Sequence, residues 1–279
     1  MAGTLYIVAT PIGNLGDMTP RAAEAFANAD FIAAEDTRVT VKLLNHLGLK
    51  KPMISYYEHN LQERGDYILS RITAGECCAL CSDAGMPAIS DPGELLVREA
   101  HKLGIRVVPV PAASAAVTAL CVSGQNTGRF VFEGFLPTNR RAKKERLEAL
   151  QSEERTLIFY EAPHKLNTTL QDLLSYFGAN RALTVCRELT KLHEEILVTT
   201  LGEAVRHFNE TAPRGEFVLV VAGAEKAKQT VYTLADAADM ATAYMQEGMS
   251  ATAAAKKAAA ETNIPKSEIY RSCLQKSGE

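Results

Sequence analysis

Residues 78–93 read CALCSDAGMPAISDPG, and this stretch constrains the fold more than any other. The apolar run 77–81 has the character of a buried strand. It stops at Ser82, Asp83, Ala84 and Gly85, with Pro87 close behind. A second signal follows: Asp91 as N-cap, Pro92 at the first helical position, and an amphipathic run over 94–103 closed by Gly104. The spacing predicts a strand, a long loop of small residues, then a helix. In an open α/β sheet, ligands settle where loops leave the carboxyl ends of strands. Asp83 is placed at such an end, beside a loop with few large side chains to obstruct a ligand. The same residues also suit an ordinary strand-to-helix turn, since Gly, Pro and Asp favour turns in general.

The alternation continues through residue 123. Residues 5–9 (LYIVA) read as a strand opening into TPIGNLGD at 10–17, after which Thr19 caps a helix with Pro20 at its first position. Residues 31–34 form the next strand and run into Glu35, Asp36, Thr37 and Arg38. Charged side chains at one strand end must be paired or solvated. They read either as an ion-pair cluster capping a helix over 39–47 or as the rim of an active site. Residues 54–57 are a further short strand ending at Glu58, His59 and Asn60; His59 is the best-placed histidine of this half, as a surface cap or as a base. Residues 106–110 are another strand, followed by a small-residue helix over 112–123. Small residues there serve close ligand approach to backbone N–H groups or tight helix–sheet packing. Such alternation implies a parallel sheet in an αβα layer. The glycine spacing matches neither GxxxxGK[ST] nor GxGxxG, so an ordinary triphosphate or NAD site is unsupported.

SGQNTGR at 123–129 reads as a linker. Beyond it, strands at 130–135, 156–160, 183–186, 195–200 and 216–222 and helices ending at 150, 178 and 209 point to a second α/β unit with a mixed sheet. TNRRAKKER at 138–146 carries five basic residues and one acidic, which makes it a solvated helix face or a phosphate-binding patch. From residue 229 the character changes. Helices over 236–246 and 251–261 and a last one capped by Ser267 resemble a helix-turn-helix module, decorated by Lys256, Lys257, Lys266, Arg271 and Lys276. The expected domains are 1–123, 124–226 and 230–279.

Composition limits the partners. The net charge is −3 and the pI about 6.1, so a nucleic acid must be met by local basic patches. The six cysteines read as buried thiols in a reducing cytosol, not as a disulfide framework or zinc site. The first basic residue is Arg21, and no apolar run reaches about 18 residues, so neither a signal peptide nor a membrane span is expected, and the location is read as cytoplasmic.

Eight short motifs stand in order over residues 3–224: TPIGNL (10–15), AEDTR (34–38), SDAGxP (82–87), SDPG (90–93), EGFLP (133–137), FYExxH (159–164), RELTK (187–191) and RGE (214–216). Together they resemble the 16S rRNA methyltransferases of the tetrapyrrole methylase superfamily. The resemblance implies a class III methyltransferase fold, with two αβα domains, a cofactor cleft between them, and the helical module appended. It implies S-adenosyl-L-methionine as cofactor and a homodimer acting on the small ribosomal subunit; no residue is assigned to a metal site. The reaction it implies is 2′-O-methylation of a cytidine ribose in the decoding region. By position, cofactor contacts are expected at Pro11, Asp83, Met86, Ser114, Ala115 and Tyr160. Two positions depart from the pattern: Met86 where the family has Thr, and Ala112 where it has Gly. Both replacements are small or flexible, so an adjusted pocket is expected.

Methyl transfer to oxygen requires alignment of the reacting atoms and, for a weak ribose nucleophile, a positioned base. Glu35, Asp36 and His59 are the candidate bases. Arg38 and Lys165 are expected to hold flanking phosphates, and Arg140, Arg141, Lys143 and Lys144 with the C-terminal helices to capture RNA backbone. A small-molecule tetrapyrrole methylase and a non-catalytic ribosome-binding protein are the rival readings.

Overall fold

The computed structural model describes residues 2–225 and 232–276, without the side chains of 274–276. Residue 226, closing the expected second domain, and residues 230, 231 and 277–279 of the expected helical module lie outside the described residues. The chain forms two compact units, one ending at Ala224 and one beginning at Glu225.

The first unit holds two sheets. In the first sheet, β1 (Thr4–Val8), β2 (Phe31–Ala34), β3 (Met53–Ser55), β4 (Cys78–Cys81) and β5 (Arg106–Val110) are parallel in the order β3-β2-β4-β1-β5. From β1 the chain steps outward to β3, then returns through β4 and across β1 to β5. Right-handed crossovers in opposite directions put helices on opposite faces. Accordingly α1 (Pro20–Asn28) and α2 (Thr37–His46) pack Phe26, Leu43 and Leu44 against Ile32 and Ala34. On the other face, α3 (Leu61–Thr73) and α4 (Glu94–Lys102) pack Ile68, Ile72 and Leu96 against Phe31 and Leu80. The carboxyl ends of β1 and β4 flank the point where the winding reverses, which is where such sheets bind ligands.

Strand alternation explains the cysteines. Cys78 and Cys81 have C-x-x-C spacing, yet the period of two sends them to opposite cores. Burial pushes the Cys78 thiol up and the Cys81 thiol up to about 12. Cys121 departs from the expectation: it is exposed, on the outer face of α5 (Ala115–Val122).

Several expected helix starts move. Gly93, at φ +146°, is the N-cap of α4, so Asp91 and Pro92 belong to the loop and not to the helix. Asp36 caps α2, with its side chain accepting from the Arg38 amide, so that helix opens at Thr37. Ser114 is the cap position of α5, leaving 112–113 outside the helix.

The second sheet comprises β6 (Phe130–Phe135), β7 (Thr156–Glu161), β8 (Ala182–Arg187), β9 (Glu195–Thr200) and β10 (Phe217–Val221), in the order β6-β7-β10-β8-β9. β6 and β7 are parallel and the remaining pairs antiparallel, the expected mixed sheet. One face is covered by α6 (Arg140–Leu150), α7 (Leu166–Phe177) and α8 (Leu201–Glu210) through Leu147, Leu170, Leu173 and Phe208. The other face receives α5, which follows the first sheet in sequence but packs Ala116, Ala119 and Leu120 on Ile158, Val218 and Val220.

The second unit contains α9 (Leu234–Gln246), α10 (Ala251–Thr262) and α11 (Lys266–Lys276). Thr233 and Asp236 form a capping box, Ser250 caps α10, and Ser267 lies inside α11. Ala237, Ala238 and Ala241 meet Ala254, Ala255 and Ala258 in its core. Such small side chains bring helix axes close but bury little area each, so a large residue at Ala254 would overpack this core. Among the described residues no helix is long and apolar enough to cross a membrane.

Candidate active site

Two loops from the first sheet are stapled at its carboxyl edge. Thr10, just past β1, and Gly85, just past β4, exchange backbone hydrogen bonds of 2.9 and 3.0 Å. The Thr10 hydroxyl also donates to the Ser82 carbonyl at 3.3 Å. A third loop joins at Glu35, whose carboxylate accepts from the Asp83 amide at 3.3 Å, while the Asp83 carboxylate accepts from the Asp36 amide at 3.1 Å. These contacts hold Glu35 and Asp83 on one wall of a cavity of about 430 Å³, which Asp91 also lines.

The opposite wall comes from the second sheet. Tyr160 of β7 lines it, and its phenol oxygen accepts from the Ala116 amide at 3.1 Å. That amide is one of the orphan donors of the first turn of α5. Glu188, Lys191 and Glu216 form an ion cluster in the same wall: the Lys191 ammonium lies 2.8 Å from each carboxylate. Gly13 and Gly215 make room for it. A Cβ on Gly13 would fall 2.4 Å from Lys191 Cγ, and one on Gly215 2.5 Å from Glu188 Cγ. Glu188 and Thr190 both have left-handed backbone, at φ +51° and +68°. Residues in that region persist only where their surroundings hold them.

The electrostatics differ between the walls. Burial raises the Glu35 and Asp83 carboxyls, and nearby carboxylates add to it. Asp91 is raised to about 6, first by burial and then by the charge of Glu35. Asp36 is held down to about 2, chiefly by its hydrogen bonds from Arg38. Burial works against charge on Lys191, but hydrogen bonds to Glu188 and Glu216 outweigh it and keep the ammonium charged. The first wall is thus a set of carboxyls whose proton affinity burial raises, and the second an ion cluster.

Of the residues singled out from sequence, Glu35, Asp83, Met86, Ser114, Ala115 and Tyr160 line this cavity. Pro11 is half-buried next to Ile12, which does. Asp36 and Arg38 pair with each other outside it, and His59 is exposed, edge-on to Tyr57 at 6.0 Å. Lys165 is exposed at the start of α7. On α6, Arg141 pairs with Glu145 at 2.8 Å, Lys144 with Glu148 at 3.7 Å and Lys143 with Asp172 at 2.7 Å. The sequence marks Asp91 only as a helix cap and gives no role to Phe135, Glu188, Lys191 or Glu216, yet all five line the cavity. Their signal was present in the motifs SDPG, EGFLP, RELTK and RGE, but nothing local says that these meet.

Residues 4–205 match the family Tetrapyrrole (Corrin/Porphyrin) Methylases. The chain is 48% identical over 273 residues to "Ribosomal RNA small subunit methyltransferase I" of Synechocystis sp., covering 98% of each protein. It is 47% identical to the protein of the same name from Halalkalibacterium halodurans, covering 96% of this chain and 93% of that one. In structure it is similar to the methyltransferase CobJ, with a TM-score of 0.62 at 20% identity over 80% of this chain and 95% of that one.

Proposed function

Because the chain belongs to the tetrapyrrole methylases and, within them, to the family of ribosomal RNA small subunit methyltransferase I, we propose that this methyltransferase carries the methyl group of S-adenosylmethionine to the ribose 2′-hydroxyl of a cytidine in the decoding region of 16S rRNA. The observation that carries this reading is the cavity at the carboxyl edge of the first sheet, walled by carboxyls on one side and by Tyr160 and the ion cluster on the other.

The residues present fit that cofactor. Glu35, Asp83 and Asp91 offer negative charge to a sulfonium or an ammonium, and Ile12, Leu189 and Val218 offer apolar surface to an adenine. Ser114 and Ala115, at the N-terminus of α5, offer backbone N–H groups and the positive end of a helix dipole to a carboxylate. Bound S-adenosylmethionine supplies a methyl carbon activated by positive sulfur. The chain's own task is to align the hydroxyl, exclude water and accept the hydroxyl proton. Glu35 is the sequence candidate that reaches the cavity, and Asp91 stands on the same wall. A carboxylate whose proton affinity is raised by burial is a better base than Asp36, which Arg38 stabilises in its ionised form. A positioned base of this kind contributes roughly 10²–10⁴-fold.

RNA capture falls in this reading to Arg38, Lys165 and the basic face of α6, with the α9–α11 unit as an accessory. The first unit is read as two lobes meeting near residue 123, and the working form as a cytoplasmic homodimer. The test is transfer of labelled methyl from S-adenosylmethionine to purified small ribosomal subunits, to naked 16S rRNA and to a precorrin, followed by mapping of the modified nucleotide. Label on the ribose of a decoding-region cytidine supports the proposal. Label on the precorrin alone replaces it with the small-molecule reading, and no transfer to any acceptor with cofactor still bound overturns it.

A further inference from the structure

The cavity mouth carries two apolar side chains that folding alone would bury. Phe135 at the end of β6 is 57% exposed, and Ile89 in the loop after β4 is 48% exposed; both line the cavity. They come from different sheets. Single exposed apolar residues need no explanation, but these two share one cavity and each is held by unusual backbone. Ile89 sits between Ala88 and Ser90, both left-handed at φ +66° and +63°. Phe135 follows a bulge in β6, where the pairing with β7 shifts register between Phe132 and Gly134. The two segments meet there: a Cβ on Gly134, whose φ is +62°, would fall 2.8 Å from the Ser90 hydroxyl. Bulges re-aim side chains next to active sites. Here the bulge lets the Ile89 loop close on β6 while Phe135 stays outward, its ring 5.7 Å from Tyr160 at 66°.

We propose that Phe135 and Ile89 are the two jaws of a slot that grips the base of the target nucleotide after it has left its stack, so that its ribose enters against the carboxyl wall. This rests on the ribose-methylation reading above and deepens it by naming how the nucleotide is held. A ribose within a stacked strand cannot enter a concave cavity with its neighbours still attached face to face. Enzymes that work on a nucleotide in such a pocket therefore unstack it and replace the lost stacking with aromatic and apolar side chains. Phe135 offers a planar face with no hydrogen-bonding group, and Ile89 an apolar counter-face. The slot so described grips a base without selecting among bases, so base identity is read elsewhere.

The experiment uses the full chain with Phe135→Ala, Phe135→Trp and Ile89→Ser, assayed on small subunits or 16S rRNA, whichever the wild type methylates. Cofactor affinity is measured by calorimetry, and solution mass by analytical ultracentrifugation. RNA carrying a fluorescent cytidine analogue at the mapped nucleotide reports unstacking. The expected result is that Phe135→Ala lowers kcat/KM for RNA by roughly 5- to 150-fold, the factor that follows from losing one base–aromatic stack. Cofactor affinity stays unchanged, Phe135→Trp recovers most of the loss, and Ile89→Ser falls between. The analogue brightens with wild type and fails to brighten with Phe135→Ala. Undiminished methylation by Phe135→Ala, or methylation by wild type without brightening, overturns the proposal while leaving the function intact. A change in solution mass on Phe135→Ala assigns the residue to contact between copies of the chain, and likewise overturns it. If the wild type methylates no ribosomal RNA, the functional reading falls and this one with it.

Discussion

The backbone N–H of Ala116 donates a 3.1 Å hydrogen bond to the phenol oxygen of Tyr160. Ala116 is 5% exposed, and its amide lies in the first turn of α5, where no intrahelical acceptor exists. The bond therefore ties the N-terminus of α5 to β7 beside the cavity. Tyr160→Phe keeps the ring but orphans that amide, and a buried unpaired donor costs about 1–3 kcal/mol. We expect a fall in unfolding free energy of that size, read by urea denaturation followed by circular dichroism. An unchanged midpoint and slope would refute the assignment.

Asp91 should make stability depend on pH. Its folded value is raised to about 6 by burial and by Glu35, with Asp83 adding to it and the Ser82 hydroxyl opposing. An unfolded Asp titrates near 3.9. A raised acid favours the folded state while protonated, so its contribution is full below about pH 3.9 and is lost as pH rises through about 6. The difference in stability between Asp91→Asn and wild type should therefore grow in favour of the variant from about pH 4 to about pH 7 and then level off. A difference that does not vary with pH would show that Asp91 titrates normally.

Gly215→Ala should damage the second wall without touching the first. The added carbon would meet Glu188 Cγ at 2.5 Å, and φ of +84° disfavours any side chain there. Such a backbone position alone costs on the order of 1–3 kcal/mol. Displacing Glu188 also takes away one of the two carboxylates that hold Lys191. Weaker cofactor binding in calorimetry, with far-UV dichroism preserved, is the expected outcome. Wild-type affinity would mean that the ion cluster does not shape the cofactor pocket.

The basic face of α6 should divide into two kinds of residue. Arg140 and Arg141 are exposed, whereas Lys143 is held by Asp172 at 2.7 Å with a side chain only 21% exposed. Each phosphate contact adds roughly 0.7–0.9 to the slope of log affinity against log salt. Replacing Arg140 and Arg141 together by Ala should lower that slope by about 1–2. Lys143→Ala should instead lower stability, because it leaves Asp172 unpaired. Equal slopes for wild type and the double variant would remove this face from the RNA-binding surface.

What could be read locally was read correctly where the physics is local. Thr19 with Pro20, and Ser250, mark helix starts because a cap needs only its own next three residues. The same logic failed at Asp91 and Pro92, which have the sequence of a cap. There the loop is shaped by distant partners: Gly93 lies against Leu80, and Ser90 against Gly134 of the other sheet. His59 stands shortly after a strand in sequence, but the chain enters a short helical turn at Glu58–Asn60 and leaves it exposed.

By itself the sequence determined the parallel and mixed character of the two sheets, the places where strands end in small or charged residues, and membership of a family through eight ordered motifs. Those are properties of hydrophobic period, turn chemistry and local composition, each decided over a few residues. Only the tertiary structure decided that SDPG, EGFLP, RELTK and RGE converge on one cavity. It alone made Asp91 a titrating wall residue and Asp36 a paired cap. Burial and neighbouring charge set a carboxyl's proton affinity, and both come from residues far away in the chain: Asp91 owes its shift to burial and Glu35, and Lys191 its charge to Glu188 and Glu216.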